Sequence, residues 1–207
     1  MTHYDCVMNK RIITPPLQAP GAGLPLVQAL VMKYYYGPFV SKREPWDVLE
    51  KKFIAVYSKV IREIDGLNDA ELNQVVLIKP LPGIEDSSRN WSIAMTLEHL
   101  LIVGEGIKKL IIELSHGRSV PITVDIAKFK PLKKMNSQEA VAAMLQFRDN
   151  SLQELQINMG EPNSPTTHVH PWFGPFRCLQ WFWLLVGHGY IHTAQIREIK
   201  KGLLRSQ

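Results

Sequence analysis

The chain has 207 residues, of which 45% are hydrophobic and 21% are charged, and its formal net charge is +5. This composition excludes a disordered or fibrous protein and is typical of a globular chain that buries one sizeable core. The basic residues are interleaved with acidic ones and accompany no nucleic-acid-reading motif. We therefore expect no nucleic-acid partner.

Neither the cysteines nor the apolar segments indicate a secreted or membrane protein. Cys6 and Cys178 are far apart and form no disulfide framework, redox pair or zinc finger, so a reducing, cytoplasmic setting is the simplest interpretation. The N-terminal segment lacks the apolar stretch of a signal peptide. The longest apolar run, CLQWFWLLVG at 178–187, is about half as long as a membrane span requires. We expect a soluble protein with no membrane partner.

Residues 1–44 are predicted to form an N-terminal extension that packs on the main domain. Residues 1–23 contain the proline- and glycine-rich stretch TPPLQAPGAG and are typical of irregular structure. Residues 24–37 are apolar enough to predict a short buried helix. We expect this helix to end at Gly37 and Pro38.

The first long helix is predicted to begin at Pro45, which suits a first helical position, and to end at Gly66. A stripe of apolar side chains repeats along it at helical spacing: Leu49, Phe53, Val56, Val60 and Ile64. Residues 67–90 are predicted to be a connection that contains a short helix within DAELNQ at 69–74.

The second long helix is predicted over about 91–117. Asn90 or Ser92 can accept hydrogen bonds from the free backbone N–H groups at its start. Gly117 can close its end, because glycine tolerates the left-handed conformation that commonly follows a helix.

The last two long helices are bounded by equally clear signals. The third begins at Asn136, with Glu139 three residues on to complete a reciprocal cap, and runs to about Met159. The last is predicted over about 177–201, and Gly202 is expected to stop it.

No segment shows the alternation expected of a strand, so residues 118–135 and 160–175 are predicted to be a connection and a long loop. Four long helices predict an all-α fold, a four-helix bundle with an additional N-terminal arm or short helix. We assign residues 45–207 to the bundle domain and residues 1–44 to the extension.

Three histidines are candidate metal ligands. His188 and His192 lie four residues apart in GHGYIHTAQ, so on a helix they project from nearly the same face and can both reach one ion at about 2 Å. His99, on the apolar second helix, faces the bundle interior and could supply a third ligand, as inward side chains of facing helices do in metal-binding bundles. Ordinary buried histidines are the alternative, because the spacing does not place His99 near the pair.

The residues around the pair restrict the chemistry. Gly187 and Gly189 lower the helix propensity, which indicates close approach by another backbone or by a ligand. Because Gly189 follows His188, the pair is not the HExxH motif of zinc proteases. The carboxylate–histidine pairs of a di-iron bundle, a serine nucleophile elbow, a P-loop and a dinucleotide fingerprint are absent from the sequence.

Two segments resemble one known family. NWSIAMTLEHLL at 90–101 and HPWFGPFRCLQWFWLLVGHGYIHTAQIREI at 170–199 resemble the DinB/YfiT-like superfamily of four-helix metal-binding proteins. The nearest likeness is to the branch that carries an H-P-x-F-G-P element before the last helix. The resemblance covers about residues 45–203.

The resemblance implies a ligand set. In the superfamily one histidine of the second helix and two of the last bind a divalent metal ion such as zinc or nickel, which implies His99, His188 and His192 here. It also implies that Gln195 lines or supports the site, with an ordinary polar helix position as the alternative. Thr193 and Ala194 stand where many members have a histidine or Arg-Gly.

Members of the superfamily include thiol-dependent S-transferases and a thiol-dependent isomerase. Our leading hypothesis is a divalent-metal-dependent enzyme that acts on a small-molecule substrate, with a low-molecular-weight thiol as co-substrate; hydrolysis is less favoured. Trp172, Phe173 and Trp181 are candidates for an apolar wall of the site, with core packing as the alternative. The sequence identifies no general base.

Two other classes of function remain open. The chain could be a non-catalytic metal-binding or stress-associated bundle, in which the ion only joins the helices. It could also be a metal-free helical interaction module, for example a homodimer formed through the apolar N-terminal arm. The fold alone does not distinguish these classes.

Overall fold

A computed structural model describes residues 16–121 and 123–205; residues 1–15, which include Cys6, lie outside this part. In chain order its α-helices are α1 (Leu26–Val31), α2 (Trp46–Ile64), α3 (Asp69–Asn73), α4 (Ile93–Ser115), α5 (Ser137–Asn158) and α6 (Cys178–Leu204). Its β-strands are β1 (Val76–Leu77), β2 (Asn90–Trp91), β3 (His168–His170) and β4 (Gly174–Phe176). Short 3₁₀ turns cover Asp86–Ser88 and Ile126–Phe129.

The four long helices α2, α4, α5 and α6 pack around one core, which is the predicted all-α bundle. α6 packs on α2 and α4, and α5 packs on the same two helices. Aromatic rings fill the centre, where Phe53 lies 4.6 Å from Tyr57, 5.8 Å from Phe147 and 6.1 Å from Phe182 between ring centroids. None of the helices in the described ranges is both long enough and apolar enough to cross a membrane.

The predicted buried face of α2 is confirmed, and the helix begins one residue after the predicted start. Pro45 directly precedes the first helical residue, and Gly66, with φ +74°, follows the helix end. The whole predicted apolar stripe is buried: Leu49, Phe53, Val56, Val60 and Ile64. The 3.6-residue periodicity therefore identifies the face that α2 turns toward the core.

The capping predictions are also confirmed. The Ser92 hydroxyl accepts from the backbone N–H of Met95 at 3.2 Å, and Gly117 follows α4 with φ +73°. Asn136 and Glu139 form a reciprocal cap, in which each side chain accepts from the other's backbone N–H at 2.9 Å. These caps satisfy backbone donors that helix ends leave unpaired.

The N-terminal helix was predicted to end at Gly37 and Pro38, but it continues to Val40. α1 continues without a break into a π-helix over Met32–Val40. In this geometry a backbone N–H reaches the carbonyl five residues back, as Ser41 reaches Tyr36 at 3.0 Å. Pro38 removes only one such donor, so the helix passes through it.

The predicted burial of this N-terminal helix is wrong. Of its described residues only Gly37 is buried, and apolar side chains such as Leu26 and Val27 are exposed. The helix approaches the bundle most closely at Gly37, where a Cβ would lie 2.6 Å from the carbonyl oxygen of Phe173, and the side chain of Met32 packs against the core. Gly37 therefore allows a backbone contact that leaves the neighbouring side chains outside the core.

The prediction that the chain contains no strands is wrong at two places. β1 pairs antiparallel with β2, and β3 pairs antiparallel with β4 within the segment predicted as a long loop. Strands of two or three residues are too short to show alternation in the sequence. The β3–β4 hairpin brings His170 to 5.5 Å from Trp181, and Phe173 to 5.9 Å from Trp183, between ring centroids.

Gly202 was predicted to stop the last helix, and this prediction is wrong. α6 runs on to Leu204, and the side chain of Leu203 is buried. A Cβ at position 202 would collide with the side chain of Val76 in β1. This glycine permits close packing between α6 and β1 and does not mark a helix end.

Candidate metal centre

His99 on α4 and the pair His188 and His192 on α6 meet between the two helices. Two contacts show that the helices run antiparallel. The Cys178 sulfur at the start of α6 lies 3.6 Å from the carbonyl oxygen of Ile111 near the end of α4, whereas His188, farther along α6, meets His99 near the start of α4. His99 therefore lies opposite the middle of α6, where the i,i+4 spacing places His188 and His192 on one face.

The glycines beside His188 have different surroundings. A Cβ at Gly189 would lie 3.1 Å from Cγ1 of Val56 on α2, so this glycine allows α6 to approach α2 closely. A Cβ at Gly187 would meet nothing within 4 Å. The close approach thus occurs only at Gly189, and there a side chain of α2 approaches rather than the predicted backbone or ligand.

The three rings converge through their Nε2 atoms. Nε2 of His188 lies 3.1 Å from Nε2 of His99 and 3.0 Å from Nε2 of His192. Among the described residues these three offer one ligand atom each within 4.8 Å of one another. Because ligand nitrogens about 2 Å from a common ion lie about 3 Å apart, the three side chains could hold a metal ion.

Neighbouring carbonyl groups fix the tautomers of two rings. Nδ1 of His99 lies 2.6 Å from the carbonyl oxygen of Phe129, and Nδ1 of His192 lies 2.6 Å from Oε1 of Gln195. Gln195 is oriented in turn, since its Nε2 donates to the carbonyl oxygen of Ser88 at 2.7 Å. A carbonyl oxygen only accepts, so each Nδ1 carries the proton and each Nε2 presents a lone pair.

This arrangement leaves a surplus of lone pairs at one buried point. His188 can donate from its Nε2 to only one of the two facing nitrogens at a time, so the other contact brings two lone pairs together. Its Nδ1 is buried and has no hydrogen-bond partner in the described part of the chain. A cation that accepts all three lone pairs would remove the conflict. The donor set therefore fits a divalent metal ion.

Burial keeps the three imidazoles neutral at pH 7. Burial lowers the pKa of His99 to about 4, although the hydrogen bond to Phe129 acts in the opposite direction. The pKa values of His188 and His192 also lie well below the usual range; burial is the main cause, and the neighbouring histidines lower them further. Neutral imidazole is the form that binds metal ions.

A charged pair and an indole flank the histidines. The ammonium of Lys130 lies 2.5 Å from Oε2 of Glu85 and 5.6 Å from the centre of the Trp91 ring. The Trp91 ring contacts His99 edge-on at 5.1 Å and stacks on His192 at 6.3 Å. Burial alone would raise the pKa of Glu85, but Lys130 holds it below the usual range, so this carboxylate is ionised and weakly basic.

A cavity of about 640 Å³ opens beside the three histidines, and all of them line it. Its walls are mostly apolar and come from α4, α6, the residues before α2, the segment after α4, and the β3–β4 hairpin. This volume is within the range of small-molecule binding sites.

The other residues singled out in the sequence lie at or next to this cavity. Trp172, Phe173 and Trp181 line it, as do His168 and His170 of the β3–β4 hairpin. Gln195 is completely buried and contacts Nδ1 of His192, the ring nitrogen that does not face the other two histidines.

Comparison with known proteins identifies the fold only. No protein family model matches the chain, and no curated protein matches it. The crystal structure of TT2238, described as a four-helix bundle protein, matches with a TM-score of 0.51 and 20% sequence identity. The match covers 74% of this chain and 98% of TT2238. The chain has a four-helix-bundle fold.

Several residues of this candidate centre were not predicted from the sequence. Phe129, Glu85 and Lys130 lie in connections that carry no recognisable motif, and only the folded chain brings them to His99. Trp91 offered a signal, since it stands immediately before the N-cap residue Ser92 of the helix that carries His99.

Proposed function

We propose that the chain is a divalent-metal-dependent enzyme of the DinB/YfiT-like type, with His99, His188 and His192 as the metal ligands. The observation that carries this proposal is the convergence of three Nε2 atoms, two of them with lone pairs directed by carbonyl acceptors. The bundle fold and the ordered histidine motifs support it. Zinc and nickel are the metals we propose, since both accept imidazole ligands.

The cavity favours an open, catalytic site over a structural one. A structural metal site uses protein atoms at every coordination position, whereas a catalytic site keeps one position free. In the described part of the chain three candidate ligands converge, and the cavity borders all three. The free side faces a space that a small-molecule substrate can enter.

Thiol-dependent transfer or isomerisation is the chemistry we propose. A divalent ion at the histidines would favour the thiolate form of a low-molecular-weight thiol, which is the nucleophilic form. Phe129 and Gln195 would hold the rings in the ligand tautomer. Trp172, Phe173 and Trp181 would form an apolar wall that limits access of water.

Metal content and activity of the untagged protein test the proposal together. We expect one equivalent of zinc or nickel in the wild-type protein and its loss in His188→Ala and His192→Ala, with far-ultraviolet circular dichroism largely unchanged. The reactants for the activity assay are mercaptoethanol and chlorodinitrobenzene. The thiol sulfur bonds to the ring carbon as chloride leaves, and the thiol proton passes to solvent. The metal-loaded wild-type protein should accelerate this reaction, and the two variants should not.

The alternative functions give different results. A non-catalytic metal protein would bind one equivalent of metal without accelerating thiol transfer. A metal-free interaction module would bind no stoichiometric metal, and its melting temperature would not change in the presence of a chelator. The second result would overturn the proposal entirely.

A further inference from the structure

We propose that the cavity binds an unbranched, largely hydrocarbon molecule, which lies lengthwise between α4 and α6 with its reactive end at the three histidines. This inference rests on the proposed function, because it assigns the substrate class of the same site. It is argued from the shape, the walls and the charges of the cavity.

The cavity is elongated, since its lining follows several turns of α4. The lining residues of this helix extend from His99, through Val103, Ile107 and Leu110, to Glu113. From His99 to Glu113 the helix rises about 21 Å. α6 runs antiparallel beside it and lines the cavity from Trp181, through Leu184 and His188, to His192, a rise of about 16–17 Å. An extended chain contacts this lining over more of its length than a compact molecule does.

Apolar side chains form the walls over this length. Most of the remaining lining comes from apolar side chains of α4, α6 and the segments that cover them, such as Leu110, Val124, Phe129 and Leu184. Contact with a hydrocarbon chain removes these surfaces from water, which is the main source of affinity in such a site.

The charged side chains that line the cavity offer little to an ionic ligand. Lys130 is paired with Glu85 near the histidines, and Glu113 is paired with Arg118 at the far end. Lys109 is exposed to solvent. A neutral hydrocarbon ligand therefore leaves both ion pairs intact, whereas an ionic ligand would compete with one partner of a pair for the other.

Gly106 offers a way to obstruct the channel without disturbing the core. It lines the cavity, is exposed to solvent, and lies within the helix, where a Cβ would meet only Cε1 of Phe129 at 3.8 Å. A leucine at this position would place its side chain at the cavity wall beside Phe129. An alanine there makes the same backbone change and adds only one methyl group.

Isothermal titration of the full-length, metal-loaded protein with neutral alcohols tests the inference. Hexanol, octanol and decanol form a linear series, and adamantanol has as many carbon atoms as decanol in a compact shape. We expect affinity to rise about fourfold for each added methylene group, and decanol to bind at least about tenfold more tightly than adamantanol. Equal affinities, or no gain with chain length, would overturn the inference.

The variants provide the matched control. Gly106→Leu should weaken decanol binding by about tenfold or more, while Gly106→Ala should stay within about twofold of the wild type. Equal binding by both variants would contradict the channel. Circular dichroism verifies folding, and if Gly106→Leu does not fold, the linear series on the wild-type protein still decides the question.

Failure of this inference can be told apart from failure of the proposed function. If linear alcohols do not bind and the metal content is one equivalent, the substrate class is wrong and the metal centre stands. If decanol binds but no metal does, the channel stands and the proposed enzyme chemistry is wrong.

Discussion

Replacing Gln195 with methionine tests how the candidate centre is held together. Methionine has nearly the same length but makes neither hydrogen bond, so Gln195→Met leaves Nδ1–H of His192 and the carbonyl of Ser88 without their partner. Each buried unpaired group costs about 1–3 kcal/mol of stability. His192 also loses the acceptor that fixes its tautomer, so we expect the affinity for zinc to fall about 10–100-fold.

Two assays separate these effects, and Thr193→Val is the matched control. Urea unfolding with chelator measures the stability of the metal-free protein, and competition with a chromophoric chelator measures zinc affinity. Thr193 is buried on the same helix, and its hydroxyl donates to the backbone carbonyl of Gly189 at 2.7 Å and not to a histidine ring. We expect this control to lose about 1 kcal/mol with unchanged zinc affinity. Wild-type zinc affinity in Gln195→Met would refute the reasoning.

Three further predictions follow from burial and packing. In the metal-free protein the pKa of His99 is about 4, against about 6.5 in the unfolded chain, so the unfolded state binds more protons between these values. The free energy of unfolding should therefore fall by about 3 kcal/mol from His99 as the pH drops from about 6.5 to 4, and a flat profile in urea titrations would contradict this. His192→Ala should reduce this acid sensitivity only partly, because His99 keeps its buried site; complete loss would show that the rings titrate as one unit. Gly104→Ala should destabilise the protein by about 1–3 kcal/mol, since the new Cβ would lie 2.5 Å from Phe147. Gly106→Ala should instead stabilise it by about 0.5–1 kcal/mol, because alanine favours the helix more than glycine does. Melting temperatures that shift in the same direction in both variants would argue against the packing described.

The long helices were predictable because their signals are local. The apolar stripe of α2 and the cap formed by Asn136 and Glu139 depend only on residues within a few turns of each other. The spacing of His188 and His192 likewise places two rings on one face, whatever the rest of the chain does.

The parts that sequence reasoning missed depend on contacts between distant segments. Gly202 has the pattern of a helix stop, but its role is set by Val76, which lies far away in the chain. The partner of the His99 ring is a backbone carbonyl at Phe129, and any residue type supplies a carbonyl. Neither contact can be recognised from the residues that surround it in the sequence.

The apolar N-terminal helix was misjudged for a related reason. Its composition predicts burial, yet residues such as Leu26 and Val27 are exposed, and Gly37 is the buried residue of this helix. Composition measures the tendency to leave water but not the presence of a surface to pack against.

Anomalous diffraction at the zinc and nickel edges, from crystals of the untagged protein, tests the account most directly. We predict one strong peak between α4 and α6, about 2 Å from the Nε2 atoms of His99, His188 and His192, with one side of the ion facing the cavity. A site free of anomalous density after incubation with either metal, or an ion held by other atoms, would contradict the metal centre proposed for this protein.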